Sequence, residues 1–332
     1  MTDQRICGWI LFLSLAGFMG CGLTRPTGEI HRFAPYFVST GDPKPDAGMT
    51  VTYLGAATLL FDDGETRFLV DPYLSRIALK DLVFRRVQTD TSRVDALLGG
   101  AWAGGLDAVL VTHSHFDHVL DVGYIAHNAG AEVFGSESTR QICLGSRVAN
   151  ERIHVVQDGT RARLGEFDIL FVAAAHSPMR WFMDDLGKTV DTPLPPPQHI
   201  VRYREGGSFH LLIRHNGQSI YVNPSASDLD QVPDSIRADV VFLGMGVMSR
   251  QGKEFHQDHY QYSVARLMPS MVIPIHWDNY CLPDPKALDL IPASISRTAD
   301  WFSEVITWTQ QDGIAFVIVP GGRSISLFSR GP

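Results

Sequence analysis

His113-Ser114-His115-Phe116-Asp117-His118 is an H-x-H-x-D-H run placed directly after the apolar stretch Leu106-Asp107-Ala108-Val109-Leu110-Val111-Thr112. That stretch reads as a buried strand, so four side chains able to bind a metal crowd the loop where a rigid element ends. Imidazole and carboxylate together suit Zn²⁺ and similar borderline cations, and a strand end holds them steadier than a free loop. Outward from this run the same arrangement recurs twice. His176 closes the apolar stretch Ile169-Leu170-Phe171-Val172-Ala173-Ala174-Ala175, and His276 closes Met271-Val272-Ile273-Pro274-Ile275. Each imidazole stands where packed backbone meets solvent, which fixes its position and direction.

The run resembles the metallo-β-lactamase superfamily, whose metal-binding signature is H-x-H-x-D-H. Within it the chain is most similar to the branch that includes L-ascorbate-6-phosphate lactonase and N-acyl-phosphatidylethanolamine phospholipase D. The likeness covers most of Met49 to Arg323 and includes Val51-Thr52-Tyr53-Leu54-Gly55, Phe68-Leu69-Val70-Asp71-Pro72, Ala175-His176-Ser177-Pro178 and Ile273-Pro274-Ile275-His276-Trp277. The resemblance implies an α/β fold, the four-layer αββα sandwich, with the site at one edge between the sheets. It also implies His113, His115 and His176 around a first cation, and Asp117, His118 and His276 around a second. The implied chemistry is metal-assisted hydrolysis. A cation, zinc first and manganese or iron as alternatives, activates water and stabilises the developing oxyanion, with Asp117 available as a proton acceptor.

The chain departs from this pattern in places. Relatives place a bridging Asp, as Gly-Asp, between the third and last His; here Pro224-Ser225 falls there, within Val222-Asn223-Pro224-Ser225-Ala226-Ser227-Asp228. A neutral Ser or Asn binds a second cation far more weakly than a carboxylate, so one ion or two stays open. Asp228 or Asp230 would have to reach in from the loop. Relatives often carry Gly-His at Gly55-Ala56, where Ala56 offers no polar group. Asp71 is expected to orient a ligand histidine, or else to serve as a turn residue before Pro72. His256 and His259, in Phe255-His256-Gln257-Asp258-His259, are catalytic candidates for protonating a leaving group or holding a phosphate. The competing reading makes Asp258 a helix cap flanked by two solvated histidines. His127, His154, His199, His210 and His215 lack ligand spacing and read as structural or surface.

Composition narrows the partners. The 332 residues, 45% hydrophobic and 19% charged, suit one large core and one catalytic domain, 49–332. Many hairpin-forming strands with helices between them suggest two stacked sheets covered by helices. Strands are expected near 50–54, 57–61, 66–70, 131–135, 153–156, 167–173, 209–214, 219–222, 240–243, 271–275, 314–319 and 324–328, with helices near 119–130, 257–268 and 284–304. Lys and Arg number 28 against 36 Asp and Glu, a net charge of −8, with no basic cluster beyond pairs such as Arg85-Arg86. Nucleic acid is therefore not an expected partner. A small-molecule or lipid ester is.

The apolar run 8–20 ends at Cys21 and suits a signal peptide, residues 1–20. Phe18-Met19-Gly20-Cys21 resembles a bacterial lipobox, which implies lipidation of Cys21, membrane attachment and a place in the cell envelope at the periplasmic face of the outer membrane. An ordinary cleaved signal or an uncleaved anchor is the alternative. The Pro- and Gly-containing stretch 21–48 reads as a tether or surface-draped arm. Cys143 and Cys281 read as buried small hydrophobes rather than a disulfide.

Met179-Arg180-Trp181-Phe182-Met183 follows His176 closely; exposed, it would form an apolar lip for an acyl chain, packed it would join the core. The first case favours a phosphodiesterase on lipids, the second a lactonase or small-ester hydrolase. A non-catalytic binding protein is the reading from another class.

Overall fold

The computed structural model describes residues 26–38, 47–178, 185–227, 232–246, 251–282, 288–291, 293 and 296–329. Its described strands build two seven-stranded sheets. The first runs, in spatial order, β14 (Arg323–Ser329), β1 (Ala47–Gly55), β2 (Thr58–Asp62), β3 (Arg67–Val70), β4 (Ala108–Leu110), β5 (Glu132–Gly135) and β6 (Ile153–Val155). The second runs β13 (Ala315–Phe316), β12 (Met271–Ile275), β11 (Val240–Gly244), β10 (Gln218–Asn223), β9 (Ser208–His215), β8 (Phe167–Ala174) and β7 (Arg161–Leu164). Each sheet joins antiparallel hairpins to a parallel half: β3 through β6 in one, β10 through β13 in the other.

The sheets meet through aromatic residues at alternating positions. Phe61 stacks on Phe68 at 4.9 Å; Phe68 meets Phe167 at 5.0 Å and Phe61 meets Phe242 at 6.2 Å, crossing from one sheet to the other. Each fully buried Phe contributes roughly 1.5–3 kcal/mol by leaving water. Parallel strands are covered on both faces, so β4 and β11 are buried at every position. Leu69, Val109 and Val133 face Val122, Ile125 and Ile142 of the helices outside the first sheet. Helices Lys253–Ser263 and Thr298–Gln311 cover the second. The result is the expected four-layer αββα sandwich.

Two stretches differ from the sequence expectation. Within the expected helix 284–304, the described residues 288–291 are not helical, with Leu290 bridged to Asp278, and helix is described from Thr298. Part of the supposed tether is core. Glu29–Tyr36 forms a 3₁₀ helix whose Ile30 and Phe33 are buried, with Phe33 against Phe302 at 5.0 Å. The Asp289 carboxylate fixes this arm, accepting from the backbone N–H of Thr27, of Gly28 (2.6 Å) and of Ile30 (3.2 Å). Residues 1–20, Cys21, the 179–183 lip, Asp228 and Asp230 lie outside the described residues. Among the described residues no helix is long and apolar enough to cross a membrane. Cys143 and Cys281 are buried free thiols, each pushed up to about 12 by burial.

Candidate metal centre

Loops after β4, β8 and β12 carry the candidate ligands, and loops after β1 and β3 bring Ala56, Asp71 and Arg76 beside them, each loop leaving a buried strand. Their backbones are held in an uncommon shape. Ala56 (φ 48), Asp71 (φ 45), Arg76 (φ 44) and His276 (φ 55) all occupy the left-handed region without being glycine. Such residues cost ~1–3 kcal/mol each and persist only where surroundings over-determine them.

Two ligand groups form. Donor atoms of His113, His115 and His176 lie within 4.8 Å of one another, as do those of Asp117, His118 and His276. The His113 and His118 rings, one from each group, sit 3.8 Å apart. Outer hydrogen bonds set the tautomers. His118 Nδ1 donates to Asp71 Oδ2 at 2.9 Å, which leaves Nε2 as a bare lone pair. His176 Nδ1 donates to the Ser177 carbonyl at 2.7 Å, and His115 Nε2 donates to Asp185 Oδ1 at 3.2 Å. The remaining nitrogens, His115 Nδ1 and His176 Nε2, face each other at 3.2 Å, and with the ring protons on the outer nitrogens both turn lone pairs inward. His113 Nε2 is buried with no hydrogen-bond partner. Lone pairs converging in a largely buried site repel unless a cation sits among them, so this donor set fits a divalent metal.

The charges agree. Burial, and then the neighbouring imidazoles, push His113 well below its usual range and His176 down to about 3. Both are neutral at pH 7, as metal binding requires. Burial alone would raise Asp117, but His118 and the hydrogen bond from His276 outweigh it and hold the carboxyl ionised. Asp117 in turn raises His276, against the opposing effect of burial. Their contact is 3.3 Å, Nε2 to Oδ2.

The pattern fixes the acid response of the metal-free protein. His113, His176, His210 (about 3) and His259 (about 4) are depressed by burial, whereas unfolded histidine titrates near 6.5. Their stabilising contribution is complete above pH ~6.5 and is lost as pH falls toward 4 and then 3, about 2 kcal/mol by pH 5 for each of His176, His210 and His259. Asp121, pushed up to about 6 by burial, and His276 act in the opposite direction but are fewer. Urea midpoints in EDTA should therefore drop steeply between pH 8 and pH 5; a flat profile would contradict neutral buried histidines.

Other sequence candidates sit elsewhere. His256 Nδ1 bonds Glu304 Oε2 at 2.7 Å and its ring rests on Trp301 at 4.6 Å. His259 is fully enclosed, with Nδ1 3.1 Å from the Ser227 carbonyl and 3.2 Å from Ser263 Oγ. Neither joins a ligand group. At the position expected to bridge, Ser225 Oγ accepts from the Ser177 N–H at 3.1 Å, and Asn223 Nδ2 donates to Ser263 at 2.8 Å. His154 pairs with Glu132, His210 with Tyr221 and His215 with Asp63, as structural residues.

Asp185 is a candidate site residue the sequence does not single out. It lies nine positions beyond His176 without motif spacing, yet its carboxylate fixes His115. Asp185→Asn, with its amide able to turn an N–H toward His115 Nε2, should weaken the first cation about tenfold. Zinc titration against a chelating dye would measure it, and unchanged affinity would count against this role.

Residues 50–276 match the model of a family described as the beta-lactamase superfamily domain. The chain belongs to this family. A UPF0173 metal-dependent hydrolase of Staphylococcus aureus (strain JH9) is 26% identical over 235 residues, 70% of this chain and 88% of that one. Among solved structures, the metallo-beta-lactamase fold protein YhfI from Bacillus subtilis superposes with a TM-score of 0.52 at 14% identity, covering 83% of this chain and 98% of that one. A protein of Veillonella parvula described as a possible metal-dependent hydrolase gives 0.51 at 13% identity, covering 84% and 99%. At such identities the structures speak for the shared fold alone.

Proposed function

We propose that this protein is a zinc-dependent hydrolase acting on an ester bond, with a phosphodiester as the first substrate class. The observation that carries the reading is the convergence of donor atoms of His113, His115 and His176 within 4.8 Å, with His115 Nδ1 and His176 Nε2 3.2 Å apart beside the unpartnered His113 Nε2. The description of the Staphylococcus aureus relative as a metal-dependent hydrolase supports it. When bound, the cation would polarise water and the scissile group.

The chain's own residues do the rest. His113 and His176 present neutral nitrogens, His115 turns its Nδ1 toward them, and Asp117 offers an ionised carboxylate able to take a proton from an attacking water. Asp71 and Asp185 keep His118 and His115 in ligand orientation. The Tyr280 ring, 5.9 Å from His276, walls that side, and burial holds its phenol protonated. A lipid-anchored enzyme whose segment 179–183 is exposed as an apolar lip would meet membrane phosphodiesters first. A lactone or carboxylic ester is the second reading, favoured if the segment 179–183 packs inward.

Turnover of bis(p-nitrophenyl) phosphate, but not of a simple lactone, is the expected result with zinc and then manganese. The reverse selects the second reading, and no turnover of either removes both. We further propose that Cys21 is acylated and holds the catalytic domain at the envelope membrane. Cys21→Ser should abolish palmitate labelling and release the protein from the membrane fraction; unchanged labelling would contradict this.

A further inference from the structure

His276 is the last ligand in the chain, and its left-handed backbone (φ 55) needs an external hold. That hold is a closed ring of hydrogen bonds. The His276 N–H donates to the Ala56 carbonyl at 2.6 Å, and the Ala56 N–H donates to Asp278 Oδ1 at 2.7 Å. The chain from 276 to 278 completes the ring. Tyr53 Oη braces it, donating to Asp278 Oδ1 at 2.8 Å and lying 3.1 Å from the Ala56 carbonyl.

The other Asp278 oxygen is held by Arg76, whose Nη2 donates to Oδ2 at 2.7 Å and to the Asn279 carbonyl at 2.8 Å. Arg76 Nε donates to the Leu282 carbonyl at 2.6 Å, so one guanidinium grips the loop after β12 at three points. Both side chains are 0% exposed. Gly55 (φ +93) makes room, since a Cβ there would stand 2.4 Å from Arg76 Nη1.

A buried ion pair is a poor source of stability, because desolvation offsets its attraction; its best-attested use is to fix one geometry. Here the geometry fixed belongs to one metal ligand. We propose that Arg76 and Asp278 are positioning residues for the second cation, clamping His276 toward Asp117 and His118. Among the described residues none of these bonds reaches His113, His115 or His176, so the clamp acts on the second group alone. The inference rests on reading Asp117, His118 and His276 as a cation site.

The test is zinc titration of the metal-free full chain, with melting temperature measured in parallel. Asp278→Ala should leave the first equivalent at wild-type affinity and weaken the second 10- to 100-fold, the range for outer partners of metal ligands. Asp278→Asn should fall between, because its amide oxygen still accepts from Ala56 while its N–H₂ faces Arg76. The double change Arg76→Met with Asp278→Leu removes both charges together. It strands the Ala56 N–H but leaves no unpaired charge, so it should melt below wild type yet above Asp278→Ala, and still bind the second cation weakly, which a purely structural pair would not do. If these variants do not fold, Tyr53→Phe decides, with an expected loss of about tenfold. Folded variants that bind two cations as tightly as wild type overturn the clamp. Wild type that binds one cation, unchanged by His276→Ala, overturns the two-cation reading and the clamp with it.

Discussion

Replacing His113 with alanine is expected to lower kcat/KM by about a thousandfold or more, some 4 kcal/mol of transition-state stabilisation, while leaving the metal-free fold nearly as stable as before. His113 sits at the centre of the cluster, with the rings of His118, His176 and His115 at 3.8, 4.6 and 4.9 Å. Its Nε2 is buried and unpartnered, so in the metal-free protein it contributes a desolvated polar atom that nothing repays. Removing the ring forfeits packing but also removes that atom and loosens the crowding that depresses its neighbours. The two effects oppose, and the net change should stay within ~1 kcal/mol. With zinc the balance reverses. A ligand present at a thousand times its Kd stabilises the fold by about 4 kcal/mol, and this gain should vanish in the variant. Melting curves in EDTA and in zinc, beside turnover of the phosphodiester, measure both halves. Wild-type turnover by His113→Ala would end the hydrolase reading, and a non-catalytic binding protein would take its place.

The ligands were legible in the sequence because each follows a recognisable apolar strand. β4, β8 and β12 end at or just before Thr112, Ala175 and His276, so period and termination could be read locally. Asp71 was legible for the same reason, standing one residue past β3 and before Pro72. What sequence could not show depends on distant pairs. Asp185 acts on a histidine 70 positions earlier, and Arg76 on an aspartate 202 positions later, with no local pattern to announce either. The docking of Ile30 and Phe33 was hidden in a Pro- and Gly-containing stretch, whose composition describes the chain around the contact and not the contact itself. Short helices escaped as well: Leu79–Phe84 buries only Leu82, too little for an amphipathic signal.

Asp71 is where the largest effect on the fold and a large effect on the site should coincide. It is fully buried, and its carboxylate accepts from the Thr112 N–H (2.7 Å), from Thr112 Oγ1 and from His118 Nδ1. Asp71→Ala strands three buried donors at ~1–3 kcal/mol each, and places alanine at φ 45, so a loss of several kcal/mol and poor recovery of folded protein are expected. Asp71→Asn separates function from folding. Asparagine tolerates the left-handed backbone and keeps one carbonyl oxygen for the Thr112 N–H. Its N–H₂ group must then point at His118 Nδ1, which can face it only as an acceptor. The His118 proton moves to Nε2, toward the second cation, and the ligand lone pair is gone. Asp71→Asn should fold, keep the first equivalent of zinc and weaken the second 10- to 100-fold. Nitrogen-detected NMR of histidine-labelled metal-free protein would read the tautomer directly: Nδ1–H in wild type, Nε2–H in the variant. An unchanged tautomer with unchanged zinc binding would show that Asp71 serves the turn before Pro72 and not the metal centre.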